Sequence, residues 1–280
     1  MPEGDTIYRA AQTLHKFMAG RVVTRFESVY PALTRIAEDD PVVGRTIESV
    51  SARGKHLLMA FSGGLVLRTH LKMNGSWHIY PAGGRWQRPA RDMRVLVATA
   101  EACAVGFNIP DAELLTTRDV ARHTQLQALG PDLLANGFDR DEALRRIRGR
   151  AADPVAEVLL NQRVMAGIGN VFKSEILFLA GIYPFTPVSA LADGDLALIV
   201  DISREQLTAN VMARHQTLSR ATGRRTTRSL DPNEKLWVYS RGGRPCRRCG
   251  TAILSNKTGL DARLTYWCPR CQLRPSPSAT

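Results

Sequence analysis

Two pairs of cysteines near the carboxyl end place the tightest constraint on what this chain can fold into. Cys246 and Cys249 form one Cys-x2-Cys pair, and Cys268 and Cys271 form a second pair after 18 intervening residues. Each pair can make a tight turn that presents two thiolates to a single tetrahedral zinc ion. Disulfide bonds are the alternative, but a reducing cytosol disfavours them. Because four protein thiolates close the coordination sphere, we expect one structural Zn²⁺ rather than a catalytic metal.

The sequence around these cysteines predicts a zinc-bound hairpin over residues 236–272. Segments 252–255 and 262–267 can pair across a loop that contains Gly259. Arg263 lies on the second of these strands, and its side chain is a candidate for contact with a nucleic acid. Further arginines flank the cysteine pairs: Arg247, Arg248 and Arg270. They favour the same contact, although they could instead balance the negative charge of a zinc ion with four thiolates.

In the rest of the chain, the pattern of apolar residues changes from strand-like to helical at residues 129–132 (Leu-Gly-Pro-Asp). Before this point we predict one amphipathic helix at 5–19, with Asp5 as its cap and Gly20 after its end. Short alternating or β-branched segments follow, and they predict strands at 21–29, 46–52, 56–61, 65–70, 77–80 and 93–99. After this point the periodicity is helical, at 140–148, 154–161, 170–180 and 196–213.

These patterns predict a multidomain α+β fold. We expect a β-sandwich with a leading helix over residues 1–128, a helical domain over 129–235, the zinc-finger hairpin over 236–272 and a disordered tail at 273–280. Ser62, Gly63 and Gly64 predict a hairpin turn between two of the strands.

The net charge of the chain indicates which class of molecule it binds. The net charge of +12 and the pI of about 10.0 favour a polyanion, nucleic acid before anionic lipid, although a solvated basic surface is the alternative. No apolar run has the length of a membrane span, and residues 1–5 do not resemble a secretory signal. We therefore expect a cytoplasmic protein that does not bind membranes.

The amino end carries a candidate catalyst. Removal of Met1 would leave Pro2 as a secondary amine, and α-amino groups titrate closer to neutrality than lysine does. Such an amine can attack the C1′ atom of a sugar and form an iminium ion, with Glu3 beside it as a proton donor and acceptor. In that mechanism Lys55, in a predicted turn between two strands, could bind a phosphate. A tolerated amino-terminal proline and a solvated turn are the ordinary alternatives.

A glycine-rich turn at residues 161–170 precedes a predicted helix that begins near Asn170. Its glycines permit a left-handed backbone, and the free N–H groups at the start of the helix suit a phosphate. A plain corner between two helices is the alternative.

Five segments, in this order, resemble the formamidopyrimidine-DNA glycosylase/endonuclease VIII family. They are residues 2–6 (Pro-Glu-Gly-Asp-Thr), 53–56 (Arg-Gly-Lys-His), 129–134 (Leu-Gly-Pro-Asp-Leu-Leu), 166–170 (Ala-Gly-Ile-Gly-Asn) and the four-cysteine finger with 263–268 (Arg-Leu-Thr-Tyr-Trp-Cys). The resemblance spans essentially the whole chain. It implies an N-terminal β-sandwich, a helix–two-turns–helix domain and a zinc finger, with damaged double-stranded DNA gripped between the halves.

The resemblance also implies the roles of single residues. Pro2 is the Schiff-base nucleophile, and Glu3 protonates the opening deoxyribose. Lys55, Asn170 and Arg263 hold phosphates around a nucleotide that is flipped out of the duplex. The enzyme then excises the base and cleaves the strand by β- and δ-elimination without a catalytic metal. We expect such an enzyme to act as a monomer at the nucleoid.

Two features bear on the lesion that is excised. Residues 70–75 (His-Leu-Lys-Met-Asn-Gly) resemble the purine-repairing branch, in which a methionine at the position of Met73 fills the gap left by the flipped base; a core position for Met73 is the alternative. Against that branch, residues 106–110 read Gly-Phe-Asn-Ile-Pro and lack its Arg-Arg-Phe wedge, and the start at residues 2–6 is closer to endonuclease VIII. We therefore expect oxidised pyrimidines and abasic sites as preferred substrates.

Two non-catalytic functions compete with this interpretation. A zinc-finger protein that only binds damaged DNA would explain the charge, the finger and the turn before Asn170, but not Pro2, Glu3 and Lys55. A zinc-ribbon protein bound to ribosomal RNA would explain neither the amino end nor the long strand-rich region.

Overall fold

The protein is described by a computed structural model that covers residues 2–212, 223–259 and 262–274. The tail predicted at 273–280 lies outside the described residues from 275 onward. The chain divides into two compact units, Met1–Ala128 and Leu129–Thr280. Within the described ranges, no helix has both the length and the apolar character needed to cross a membrane.

The first unit is a sandwich of two four-stranded antiparallel sheets with a helix packed on it. The strand order is β1-β6-β7-β5 in one sheet and β2-β3-β4-β8 in the other. Its strands are β1 Arg25–Ser28, β2 Ile47–Arg53, β3 His56–Phe61, β4 Leu65–His70, β5 Ser76–Pro81, β6 Met93–Ala98, β7 Ala102–Phe107 and β8 Asp111–Thr116. Its helices are α1 Gly4–Met18, α2 Pro31–Asp39, α3 Thr117–Arg122 and α4 Thr124–Gln127, with a short 3₁₀ turn at Ala90–Asp92.

The predicted apolar face of α1 forms part of the core. Ile7, Ala11, Leu14 and Met18 are buried between the helix and the strands. Asp5 does not cap this helix: Glu3 is the N-cap residue, and Asp5 lies in the first turn, where it pairs with Arg9 at 3.4 Å. The helix begins at Gly4, one residue earlier than predicted. Asp5 therefore lies inside the helix, where its side chain is buried, and does not occupy the N-cap position.

Two strands and three α-helices of this unit were not predicted from the sequence: β7, β8, α2, α3 and α4. The segment Ala102–Phe107 forms β7 although it lacks a clear alternation, because it is covered on both faces and most of its residues are buried. Asp111–Thr116 forms the edge strand β8, and Pro31–Asp39 forms α2, whose apolar residues Leu33, Ile36 and Ala37 have helical spacing although only Leu33 is buried. The strand predicted at 21–29 shortens to Arg25–Ser28.

The second unit contains, in its described part, four helices and one hairpin: α5 Arg140–Arg148, α6 Val155–Leu160, α7 Asn170–Ala180, α8 Asp193–Met212, β9 Leu254–Thr258 and β10 Arg263–Trp267. The predicted helix at 170–180 begins and ends where expected. Its C-cap residue Gly181 takes the left-handed conformation (φ +73°) that ends such helices. The first strand of the hairpin lies nearer Gly259 than predicted, because Leu254 pairs with Trp267. A boundary at residue 235 between a helical domain and the finger stays a prediction.

Candidate active site and metal centre

The amino end of the first unit holds the residues predicted to be catalytic in a fixed position. Glu3 is fully buried, and its carbonyl accepts hydrogen bonds from the backbone N–H groups of Thr6 (2.9 Å) and Ile7 (3.1 Å). Pro2, half-buried, precedes it directly. The helix is held against β2, since the backbone N–H of Val50 donates to His15 Nδ1 at 3.1 Å. The ring of Pro2 and the buried side chain of Glu3 therefore lie next to each other at the start of α1.

Lys55 lies in the two-residue turn between β2 and β3, so the hairpin predicted around it is confirmed. Arg53 pairs with His56 across the turn. Gly54 has φ +58°, a conformation that a residue without Cβ adopts at little cost. Lys55 itself is half-buried.

Two histidines adjoin this turn, His56 buried and His70 half-buried, and their pairing was missed from the sequence. His56 begins β3 and His70 ends β4, and their rings lie 4.8 Å apart. Burial, with Arg68 nearby, lowers the pKa of His56 to about 3. Burial, with Lys72 nearby, lowers the pKa of His70 to about 4. Both rings are therefore neutral at physiological pH. The hairpin turn predicted at residues 62–64 implied this pairing, because an antiparallel register that pairs Phe61 with Leu65 also pairs His56 with His70.

Arg68, a buried residue of β4, links the same sheet to neighbouring polar side chains. Its side chain is 1% exposed, and its guanidinium donates to Glu113 (2.7 Å), Gln125 (2.6 Å) and Asp111 (3.3 Å). No pattern in the sequence indicated this cluster, since an arginine on a predicted strand usually faces solvent.

Met73 lies in the turn after β4, and its side chain is 58% exposed. The core position considered for it from the sequence is therefore wrong. Lys72 before it has φ +49°, which turns the chain sharply at this point. A groove of about 410 Å³ opens beside the turn, lined by Lys72, Met73, Asn74, Arg94, Asn108, Ile109 and Pro110.

In the second unit, Asn170 is the first residue of α7, as predicted. Gly167 has φ +115° and turns the chain before the helix. The side chain of Asn170 is 6% exposed, and its Nδ2 donates to the carbonyl of Leu264 at 3.0 Å. Its Oδ1 is buried with no hydrogen-bond partner in the described part of the chain. Arg263, half-buried at the start of β10, precedes Leu264, so the fold brings these two predicted phosphate ligands to one interface.

The same interface continues along one face of α7. Lys173 is fully buried, and its Nζ donates to Thr265 Oγ1 at 2.6 Å. The backbone N–H of Tyr266 donates to Ser174 Oγ at 3.4 Å. Successive residues of β10 thus contact residues one helical turn apart on α7, which fixes the position of Arg263 relative to Asn170.

Glu175, on the same helix, organises the segment before the finger. Its carboxylate is fully buried and accepts hydrogen bonds from the backbone N–H groups of Trp237, Val238 and Tyr239, each at 2.8 Å, and from the hydroxyl of Thr226. Burial raises the pKa of Glu175, and the four donors oppose that rise. No motif in the sequence indicated this role.

The four predicted zinc ligands come together in one cluster. The Sγ atoms of Cys246, Cys249, Cys268 and Cys271 lie within 4.8 Å of one another, with 3.5 Å between Cys249 and Cys268 and 4.0 Å between Cys246 and Cys271. A tetrahedral site with Zn–S bonds of about 2.3 Å has sulfur–sulfur edges of about 3.8 Å. The donor set and its spacing fit one structural zinc ion, and none of these cysteines forms a disulfide.

Two of the arginines beside the cysteines have partners within the protein. Arg247 donates to the carboxylate of Glu234 at 2.9 Å. Arg248 lies over the ring of Phe178, 4.4 Å from its centroid. These contacts pack the finger against the rest of the unit, so neither arginine is a simple addition to a DNA-binding surface.

Comparisons with known proteins match this architecture along the chain. Residues 1–128 match the formamidopyrimidine-DNA glycosylase N-terminal domain, 129–222 the formamidopyrimidine-DNA glycosylase H2TH domain, and 243–274 the zinc finger found in FPG and IleRS. "Probable endonuclease 8 2" of Streptomyces coelicolor is 42% identical over 99% of this chain and 96% of its own length. This chain belongs to the formamidopyrimidine-DNA glycosylase/endonuclease VIII family. A second member, "DNA-(apurinic or apyrimidinic site) lyase Nei2" of Mycolicibacterium smegmatis, is 37% identical over 97% of this chain and 99% of its own.

Solved structures of the family share the fold. The complex between the Lactococcus lactis Fpg and an abasic site containing DNA superposes with a TM-score of 0.81 and 24% identity, covering 98% of this chain and 100% of the other. The predicted fold class, family and structural zinc are confirmed. The enzyme class is confirmed as well: as a family member the chain is a DNA glycosylase and abasic-site lyase of base excision repair.

Proposed function

We propose that this glycosylase excises oxidised bases, with pyrimidines preferred, through a Schiff base on Pro2 and then cleaves the strand by β,δ-elimination. The observation that carries the proposal is the pairing of Pro2 with the fully buried Glu3 at the start of α1. A carboxyl group shielded from water can hold or release a proton beside the amine without competition from solvent.

The chemistry requires that Met1 be removed, since an amide nitrogen is not nucleophilic. The free Pro2 nitrogen forms a bond to C1′ while the bond from C1′ to the base breaks, and the base leaves with that electron pair and a proton. Glu3 protonates the ring oxygen as the sugar opens, which leaves an iminium between Pro2 and C1′. Loss of a proton from C2′ expels the 3′ phosphate, and a second elimination expels the 5′ phosphate. Water then hydrolyses the iminium and frees Pro2.

Four further residues contact the DNA in this proposal. Lys55, on its two-residue turn, binds a phosphate next to the lesion. Asn170 and Arg263 bind phosphates at the start of α7, where the helix dipole favours an anion. The exposed side chain of Met73 enters the gap that the flipped nucleotide leaves.

The preference for pyrimidines rests on this chain's own sequence and on its relatives. Residues 2–6 are closer to endonuclease VIII, and residues 106–110 lack the Arg-Arg-Phe wedge of the purine-repairing branch. The two curated relatives described above carry endonuclease 8 or abasic-site lyase names. We further propose that the enzyme acts as a monomer on chromosomal DNA in the cytoplasm, where zinc thiolates stay reduced.

Borohydride trapping tests the mechanism. The native protein, Pro2→Gly and Glu3→Gln are incubated with a labelled duplex that contains one abasic site, and adducts are mapped by mass spectrometry. We expect an adduct on the Pro2 nitrogen of native protein and a lower yield from Pro2→Gly, whose amino-terminal primary amine can still form an imine. Tight DNA binding without an adduct, from protein verified to lack Met1, would contradict the Schiff-base mechanism.

A panel of duplexes tests the substrate range. Excision of thymine glycol and other oxidised pyrimidines should exceed that of 8-oxoguanine opposite cytosine. Strong 8-oxoguanine excision without thymine glycol activity would reverse the proposed preference.

A further inference from the structure

Residues 206–230 carry positive charge that no acidic residue of the segment balances. They include five arginines and no Asp or Glu. Three of these arginines lie in the described part of the chain, and they are held differently. Arg225 donates to the carbonyl of Ser229 and Arg228 is exposed, whereas the guanidinium of Arg224 lies against α7. The position of Arg224 therefore needs an explanation of its own.

Arg224 lies over an aromatic ring in the first turn of α7. Its Cζ atom is 4.8 Å from the centroid of Phe172, the third residue of the helix. Phe172 is fully buried and Arg224 is half-buried, so the guanidinium covers the ring from the outer side. A guanidinium over an aromatic ring can still donate hydrogen bonds through its edge.

The backbone next to Arg224 is fixed by side chains of two helices. Asn210, on α8, donates through Nδ2 to the carbonyl of Arg225 at 2.6 Å, and its Oδ1 accepts from the backbone N–H of Arg225 at 2.8 Å. The hydroxyl of Thr226 donates to the carboxylate of Glu175 on α7. Arg224 is thus held at α7 without a ligand, and a residue that is positioned in advance loses little conformational entropy on binding one.

The helix dipole does not favour a cation at this place, because the start of a helix is its positive end. The first turn of α7 has no acidic residue to balance Arg224. Glu175 follows in the second turn, but both of its carboxylate oxygens already accept hydrogen bonds. Arg263 adds positive charge at the same end of the helix, since the carbonyl of Leu264 accepts from Nδ2 of Asn170. An anion at the start of α7 would balance these charges.

We propose that Arg224 binds a second DNA phosphate at the start of α7, next to the phosphate held by Asn170 and Arg263. The inference rests on the proposed function, which places the DNA backbone at this end of the helix. A guanidinium matches two phosphate oxygens with two parallel N–H donors. Because phosphate contacts carry no sequence information, Arg224 contributes equally to the binding of damaged and undamaged duplexes.

The test measures the Kd of each protein by fluorescence anisotropy at several salt concentrations. One duplex contains a reduced abasic site, which the enzyme cannot cleave, and the other is undamaged. The proteins are the native enzyme, Arg224→Met, Arg224→Lys and Arg204→Met. Arg204, on α8, is the matched control, because its Cζ lies 4.9 Å from the ring centroid of Phe138. Arg204→Met therefore also removes a cation from a phenylalanine ring in the same unit.

We expect Arg224→Met to weaken binding to both duplexes about tenfold and to reduce the magnitude of the slope of log K against log salt by about 0.9. Arg224→Lys should keep the native slope, because lysine keeps the charge. Arg204→Met should match the native protein in affinity and slope. Thermal unfolding of each variant identifies any that fails to fold, and Arg224→Gln, which is also uncharged, replaces Arg224→Met if that variant fails.

Two results would overturn the role of Arg224. Native affinity and slope in Arg224→Met would show that it binds no phosphate, and a changed ratio between the two Kd values would show that it contacts the lesion instead. Borohydride trapping of native protein on an unreduced abasic duplex separates this inference from the proposed function. If the Pro2 adduct forms but Arg224→Met binds like native protein, the proposed function stands and the inference is wrong. If Arg224→Met loses affinity as expected but native protein forms no adduct, the phosphate contact stands and the Schiff-base mechanism is wrong.

Discussion

Replacing Glu175 with glutamine tests whether one buried carboxylate fixes the segment that leads into the zinc finger. The substitution keeps the shape of the side chain and removes its charge. Glu175 accepts three backbone N–H groups, from residues 237–239, and the Thr226 hydroxyl. In the least damaging orientation, the new amide nitrogen faces Thr226, whose hydroxyl can rotate to accept. The N–H of Trp237 then faces another donor and has no acceptor.

The cost follows from these four contacts. A hydrogen bond to a charged group contributes about 1.5–3 kcal/mol, and a neutral one about 0.5–1.5 kcal/mol. In Glu175→Gln the remaining hydrogen bonds become neutral ones and the Trp237 N–H loses its acceptor. Together these two changes destabilise the folded state by about 3–5 kcal/mol. Relief of the burial cost of the charge offsets part of this. We expect Glu175→Gln to destabilise the second unit by about 3 kcal/mol, which lowers its Tm by about 6–12 °C.

The assay is urea unfolding followed by circular dichroism, with zinc release followed by a metallochromic dye. Thr226→Val is the control, since it removes one of the four donors and leaves the carboxyl group in place. Its cost should be about half that of Glu175→Gln. If Glu175→Gln is as stable as the native protein or more stable, the reasoning is wrong. That result would mean that the buried carboxyl of Glu175 is protonated and that its four hydrogen bonds do not require a charge.

Three further predictions concern DNA binding, acid stability and the metal. Arg263→Ala should weaken DNA binding and reduce the magnitude of the slope of log K against log salt by about 0.9, measured by fluorescence anisotropy, whereas Arg247→Ala should leave the slope unchanged. His56 and His70 have folded-state pKa values of about 3 and about 4, below the unfolded value, so the unfolded state binds more protons between about pH 4 and 6.5. The free energy of unfolding should therefore decrease as the pH is lowered through that window, by up to about 1.4 kcal/mol per pH unit for each histidine. Urea titrations at several pH values measure this effect in the native protein and in a variant carrying both His56→Gln and His70→Gln. If the variant keeps the same pH dependence, the histidines are not its cause. Cys249→Ser should abolish stoichiometric zinc binding and unfold the finger, and a variant that retains both zinc and DNA affinity would contradict the tetrahedral four-thiolate site.

Short-range signals in the sequence determined much of the architecture. The spacing of four cysteines predicted their cluster, because each Cys-x2-Cys turn is itself a local structure. The turn at residues 62–64 and the start of α7 at Asn170 were predicted for the same reason: glycine conformation and periodicity act over a few residues. Segments with weak local patterns, such as Ala102–Phe107, were missed because only the neighbouring strands bury them.

Only the tertiary structure decided which polar groups meet. Asn170 donates to the carbonyl of Leu264, 94 residues away, and Glu175 binds residues 51 to 64 positions later. Arg68 finds its carboxylate and amide partners on β8 and α4. A polar side chain carries the same donors and acceptors wherever it lies, so its sequence neighbourhood does not identify its partner. The partner is fixed by the packing of distant elements, and burial then makes the contact obligatory because an unpaired polar group inside the protein is costly.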